Sequence, residues 1–175
     1  MTGERVDRDH TAIPIEFDPT RQWMQGRAIH GNTPFSVPYV TPITDDLWTG
    51  GCRDGLVLPA EVQHVVSLYP WESYRAEHKV KSVTSVKLYD EDDEPDRNLI
   101  YGLAEWVNAC RRDGITLVHC QAGLNRSALV AGLALVLSGD AQGGGSDAIA
   151  ILRQKRSPAV LCNPAFYSWL AGRAG

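Results

Sequence analysis

The chain has 175 residues, a length that suits one domain around a single core. Its 43% apolar and 22% charged residues exclude a disordered, collagenous or coiled-coil protein. Seventeen basic against 21 acidic residues give a formal net charge of -4 with no basic block, which argues against nucleic acid and anionic membrane as partners.

The longest apolar run, Ala128 to Leu137, is too short to span a bilayer, and the opening MTGERVDRDH lacks the apolar stretch of a signal peptide. A soluble, cytoplasmic protein is the expectation. Residues 1–39 are polar and interrupted by Pro14, Pro19, Pro34 and Pro38, which predicts an irregular N-terminal arm ahead of a domain over 40–175. From Val40 onward, β-branched segments alternate with helical patterns. ITDDLWTGG, VQHVVSL, VTSVKLY and ITLVH read as strands.

A helix is predicted from about Asp96 to Arg112, with Leu99, Leu103, Trp106, Val107 and Cys110 on one face, Asp96 as cap and Gly114 as stop. GLNRSALVAGLALVL contains the start of a second helix that is apolar nearly all round and therefore central. Gly143, Gly144 and Gly145 read as a flexible link, Ser146 and Asp147 as the start of a helix to about Lys155, and Pro164 as the start of a last helix. Strands followed by helices in one short chain predict a single three-layer α/β domain with a central mixed or mostly parallel sheet flanked by helices.

The chemistry concentrates in ITLVHCQAGLNRSALVAG. A buried strand, Ile115 to His119, runs into Cys120, then five loop residues, then Arg126, Ser127 and a helix. Backbone N–H groups of a turn entering a helix point inward and cradle an anion, and the helix N-terminus adds partial positive charge. Phosphate or sulfate fits such a cradle. A cysteine at its mouth is stabilised as the thiolate, which makes Cys120 a nucleophile. The Arg126 guanidinium is planar and grips two oxygens in parallel, a fork that lysine lacks. Gly123 suits a bend with positive φ, and Ser127 brings a hydroxyl close to the sulfur. His119, beside Cys120 on a strand, points away from substrate and reads as a support for the loop.

H-C-Q-A-G-L-N-R-S resembles the active-site loop of the cysteine-based protein tyrosine phosphatases, in their dual-specificity branch. The Cys, the five intervening residues, the Arg, the preceding His and the following Ser are all present. Asp46-Leu47-Trp48-Thr49-Gly50-Gly51 resembles the first strand of the small members, and Arg156 to Leu170, with Asn163, Pro164 and Phe166, resembles their C-terminal helix. The resemblance covers roughly residues 40–172 and implies a dual-specificity phosphatase-like fold. It also implies a phosphate-binding loop of Gln121, Ala122, Gly123, Leu124, Asn125 and Arg126, a phosphocysteine intermediate on Cys120, and no metal or other cofactor.

The resemblance further implies a general-acid aspartate about thirty residues before the nucleophile, where LYDEDDEPD stands. A position three residues before Pro95 selects Asp92, with Asp93 and Asp90 as fallbacks. Six acids crowded into Asp90 to Asp96 help one of them stay protonated near neutral pH. By default the run is a solvated loop.

Cys52, Cys110 and Cys162 read as structural, and their spacing does not make a zinc site. Trp71 and Tyr74 read as packing residues. The variable loop positions Gln121, Ala122, Leu124 and Asn125 carry no charge, which favours a phosphorylated protein over a highly phosphorylated lipid as substrate. Two other readings compete: a phosphoprotein-binding module without turnover, and the Cys-x5-Arg loop of a rhodanese or arsenate reductase. The Ala-Gly pair in the loop, Ser127 and the upstream acids favour the phosphatase.

Overall fold

Alternation of side-chain direction along the central strands sets the layers. In the computed structural model, which describes residues 28–30, 33–35 and 37–175, strands β5 (His64–Ser67) and β7 (Thr116–His119) are buried at all four positions. Val66 and Val118 face one core, while Val65 and Leu117 face another. Both sides of the sheet centre are therefore apolar, as period-two strands covered on each face require.

The sheet has five strands in the order β3 (Val40–Pro42), β4 (Leu47–Gly50), β7, β5 and β6 (Ser82–Ser85). β3 runs antiparallel to β4, and the other pairings are parallel. The mostly parallel mixed sheet of the sequence reading is thus present. β3 was not among the predicted strands, because a three-residue edge strand ending in Pro42 leaves too short a pattern to read.

Helices α1 (Arg97–Arg111), α2 (Arg126–Ser138), α3 (Gly145–Lys155) and α4 (Pro164–Ala171) complete the domain. α2 is buried from Arg126 to Val136 and packs against α1, α3, α4, β4 and β7. It is the central helix that its apolar sequence demands. The other face of the sheet is covered by the segment between β4 and β6, where Leu58 and Val62 meet Val65 and Leu117.

Three local expectations change. Asp96 caps α1 by accepting from the Leu99 N–H at 3.1 Å, as predicted, but Trp106 lies outside the core. Its indole donates instead to Thr84 Oγ1 at 3.0 Å. Ile100 and Ala104 take the inward positions with Leu103, Val107 and Cys110. The glycine triplet is not a free link, because a Cβ on Gly145 would stand 1.7 Å from the Leu170 carbonyl oxygen. These residues let α3 start directly against α4. Within the predicted irregular arm, β1 (Ala28–His30) and β2 (Thr33–Phe35) pair antiparallel, with Gly31 and Asn32 between them in sequence. The rest of the arm before residue 28 lies outside the described residues. Among those described, no helix is long and apolar enough to cross a membrane.

Leu129 sits one turn beyond Arg126 and is fully buried. Leu129→Ala is expected to destabilise the fold by about 2–5 kcal/mol through lost burial and a residual cavity. Urea denaturation measures this, and a loss below about 1 kcal/mol contradicts the central placement of α2.

Candidate active site

β7 delivers His119 and Cys120 to the end of the sheet, and the chain re-enters a helix at Arg126. Between them the loop is defined by what its carbonyls do. The Cys120 carbonyl accepts from His119 Nδ1 at 3.3 Å, and that of Gln121 accepts from the Cys52 N–H at 3.0 Å. The carbonyls of Ala122 and Gly123 accept from Arg156 Nη2 and Nε at 2.8 and 2.6 Å. Those of Leu124 and Asn125 accept from the N–H groups of Leu161 and Leu129, both at 2.8 Å. Six consecutive carbonyls thus turn outward onto the protein. Their peptide planes direct amides the other way, and the Gly123 N–H donates to Cys120 Sγ at 3.3 Å.

Ser127 Oγ lies 3.4 Å from Cys120 Sγ, and both groups are buried. Gly123 has φ +72°, and a Cβ there would stand 2.2 Å from the Gly50 carbonyl carbon. The sequence reading of a positive-φ bend is correct, and close approach to β4 is a second reason for glycine. Arg126 is fully buried, with Nη1 donating to the Leu88 carbonyl at 3.5 Å and its guanidinium 5.1 Å from the Tyr69 ring centre. From Tyr69 an aromatic chain continues through Trp71 to Tyr89, with centroid separations of 4.9 and 6.2 Å. Lys87 Nζ lies 5.3 Å from the Trp71 ring and 4.7 Å from the Tyr89 ring.

Two groups behind the loop are kept neutral or charged by their surroundings. Burial pushes the His119 imidazole down to about 4, outweighing its bond to the Cys120 carbonyl. His119 is therefore neutral at pH 7, with Nδ1–H as donor, because a carbonyl only accepts. The Tyr74 ring meets it edge-on at 5.3 Å, and the Tyr74 hydroxyl donates to the Gly51 carbonyl. Tyr74 is packing, as read from the sequence. Burial also lowers Arg156, to about 10, against the favourable influence of Cys120 and Tyr74. That still leaves a full charge at neutral pH.

Arg156 is the functional residue that sequence reasoning missed. Besides the two loop carbonyls, it donates through Nη1 to the Pro38 carbonyl and Thr41 Oγ1, both at 2.8 Å. No local signal marks it, because α3 already ends with Arg153 and Lys155 in its last turn and the loop that Arg156 serves lies over thirty positions away.

The acid segment divides sharply. Asp92 and Asp93 are exposed on the connection between β6 and α1, whereas Asp90 is fully buried. Its Oδ2 accepts from Asn125 Nδ2 at 2.9 Å and its Oδ1 from Asn163 Nδ2 at 2.8 Å. Cys52 and Cys110 are buried, with thiols pushed up by burial, and the Cys162 thiol donates to Asn125 Oδ1 at 3.3 Å. Among the described residues, no group of three His, Cys, Asp or Glu side chains is placed to hold a metal.

A cysteine sulfur, an arginine and a ring of outward carbonyls at the junction of strand and helix define a phosphate-loop protein of the cysteine phosphatase type. The chain matches the family model described as dual specificity phosphatase, catalytic domain, over residues 59–173, and it belongs to that family. Among solved structures, it is similar to a mouse putative dual specificity phosphatase complexed with zinc tungstate, at 22% identity and TM-score 0.63, covering 76% of this chain and 84% of that one. It is also similar to human DUSP28, at 23% identity and TM-score 0.59, covering 76% and 90%. The human tyrosine phosphatase-like serine/threonine/tyrosine-interacting protein is similar at 17% identity and TM-score 0.61, covering 75% and 92%. No curated protein sequence matches the chain significantly.

Two outcomes follow from the supports behind the loop. The single ammonium of Arg156→Lys cannot serve two adjacent carbonyls through parallel N–H groups, so this variant is expected to lose about 2–3 kcal/mol of stability in thermal denaturation. A wild-type melting temperature in that variant contradicts the accounting of carbonyls. For His119, the unfolded imidazole takes up its proton near 6.5 and the folded one only near 4, so stability falls as pH drops through that window. The expected contribution is about 3 kcal/mol, and His119→Gln should flatten the pH dependence of urea denaturation by that amount. Parallel curves for the two proteins contradict it.

Proposed function

We propose that the protein is a phosphomonoester hydrolase acting on phosphoprotein, on phosphotyrosine and by extension phosphoserine and phosphothreonine, through a phosphocysteine intermediate. The observation that carries this reading is the cradle itself: Cys120 Sγ, contacted by the Gly123 N–H and Ser127 Oγ, in a loop whose carbonyls all point away.

In the first step the Cys120 thiolate attacks phosphorus in line, forming the S–P bond as the P–O bond to the leaving group breaks. The loop amides from Gln121 to Asn125, with Arg126, hold the three equatorial oxygens, and Asp92 delivers its proton to the departing oxygen. In the second step the Asp92 carboxylate takes a proton from water, which attacks phosphorus as the S–P bond breaks. Ser127 donates to the sulfur as negative charge returns to it. Inorganic phosphate leaves, and Asp92 is again protonated.

The substrate class rests on charge and aromatic surface. Gln121, Ala122, Leu124 and Asn125 offer no cation for additional phosphates. The chain of tilted rings from buried Tyr69 through Trp71 to Tyr89 begins at the Arg126 guanidinium, and its half-buried outer members, Trp71 and Tyr89, supply aromatic surface for a phenyl ring.

Hydrolysis of para-nitrophenyl phosphate and a phosphotyrosine peptide tests the proposal. Wild type is expected to turn over both, and Cys120→Ser neither. Asp92→Asn is expected to lose about 10²- to 10⁴-fold on the peptide and far less on an ester with a good leaving group. If wild type and Cys120→Ser are equally inactive while both bind the peptide, the chain is a phosphoprotein-binding module instead.

A further inference from the structure

We propose that the cavity on the face of the sheet away from α1 and α2, lined by Ser67 and His119, binds one small neutral hydroxyl compound of the phenol or alcohol class and acts on the phosphate loop from behind. The inference goes beyond the phosphatase reading, and its test reads binding rather than turnover.

Strand register builds the polar part of this cavity. β5 pairs in parallel with β7 and with β6, which sets Ser67 opposite His119 on one side and opposite Ser85 on the other. Partners in register point to one face about 4.8 Å apart, so Ser85, Ser67 and His119 form a polar row across three strands. Period two puts the row on the face of Val65 and Leu117, whereas Val66 and Val118 face the helices. The cavity has a volume of about 90 Å³ and apolar walls of Leu58, Val65, Val80 and Val83. One water needs only ~10–15 Å³ of such space. Val83 is 65% exposed and Ser85 is exposed, so the opening to solvent runs along edge strand β6.

The two buried polar groups define the guest. Ser67 is buried, and among the described residues nothing hydrogen-bonds its Oγ, although buried hydroxyls ordinarily have a partner. His119 uses its Nδ1–H on the Cys120 carbonyl, which leaves Nε2 of the neutral ring as a bare acceptor. The Tyr74 ring holds the imidazole edge-on at 5.3 Å, and the Tyr74 hydroxyl is engaged with the Gly51 carbonyl. A single O–H group answers both needs, donating to His119 Nε2 and accepting from the Ser67 hydroxyl. Its carbon body then covers the apolar walls, which waters would leave without partners. No Lys or Arg lines the cavity and Glu72 does, so an anion is disfavoured, and an ammonium would lose its hydration against apolar side chains.

His119 connects this cavity to the cradle. An O–H donated to Nε2 draws electron density through the ring and strengthens the Nδ1–H bond to the Cys120 carbonyl. That carbonyl belongs to the same peptide as the Gln121 N–H, which becomes the better donor to an oxyanion. Guest and anion therefore favour each other, by the same factor in both directions.

The test uses the full chain with phenol, toluene and benzoate as probes and follows the His119 ring nitrogens by ¹⁵N NMR. Phenol is expected to bind with a dissociation constant on the order of 1 mM and to move the Nε2 signal upfield, as for a nitrogen that accepts a new hydrogen bond. Toluene, which lacks the hydroxyl, and benzoate, which carries a charge, should each bind at least about tenfold more weakly. Ser67→Ala should weaken phenol by about five- to tenfold, and Ser67→Val, which puts two methyl groups where the hydroxyl was, should abolish its binding. Both variants lose a buried hydroxyl that has no partner among the described residues, so they should melt no lower than wild type. Saturating tungstate should tighten phenol by about two- to fivefold, and phenol should tighten tungstate by the same factor.

An unmoved Nε2 signal, equal affinity for toluene, or full affinity in Ser67→Val overturns the site. A coupling factor of one in wild type that binds both guests overturns the action on the loop. If tungstate does not bind, the phosphatase reading loses its cradle, and the phenol titration still decides whether the cavity is a site.

Discussion

The site depends on the direction of six carbonyl groups. A loop whose N–H groups converge on an anion must turn its C=O groups outward, into buried surroundings where unsatisfied acceptors are costly. In this protein the outward acceptors, from Cys120 to Asn125, are met by His119, Cys52, Arg156, Leu161 and Leu129. These donors come from β7, the chain after β4, the end of α3, the segment before α4 and α2 itself. The cradle is therefore an outcome of tertiary structure, and the sheet order β4-β7-β5 brings its strand side into register. The Cys120 N–H bond to the Gly50 carbonyl at 3.1 Å continues the β4–β7 ladder up to the nucleophile.

The same arrangement governs charge around the sulfur. Burial holds the Cys52 thiol and the Tyr74 hydroxyl in their neutral forms far above neutral pH, and it holds His119 neutral from the opposite side. What remains behind the loop is the Arg156 cation, whose buried charge is favoured by Cys120. A positive guanidinium bonded to two loop carbonyls polarises those peptides in the direction that strengthens their N–H donors. Arg126 acts on a bound phosphate directly, whereas Arg156 acts through the backbone.

Legibility in the sequence follows the distance over which a residue's role is defined. Cys120, Arg126, Ser127 and Gly123 stand within eight positions, and the adjoining strand and central helix are readable from apolar pattern alone. Asp96 as a cap and Pro164 as a helix start are local signals too, and both hold. The role of Arg156 escaped, and Asp90 stood only as a fallback acid beside Asp93, because their partners lie tens of residues away: the Gly123 carbonyl for one, Asn125 and Asn163 for the other. In sequence, Asp90 is one of six acids, and burial sets it apart from Asp92 and Asp93. Trp106 was misplaced for a related reason, since helical period put it within reach of the core but its indole found a hydroxyl on edge strand β6. Leu161 shows the same limit, with φ +57° in a residue that ordinarily avoids it. There it presents its N–H to the Leu124 carbonyl, a demand no local rule encodes.

Asn125 connects these observations. It stands at the N-cap position of α2, where an asparagine would ordinarily turn its side chain back onto the first helical amides, yet it makes no capping hydrogen bond. Its side chain goes to Asp90, Asn163 and Cys162 instead. A self-capped helix would compete with an anion for those N–H groups, so diverting the asparagine preserves the positive end of α2 for whatever occupies the cradle. One residue thereby leaves the helix start open to phosphate and ties the acid segment to the loop beside it. The two demands are compatible because an amide has both a donor and an acceptor end, which an ionised aspartate at position 125, an acceptor only, would not provide.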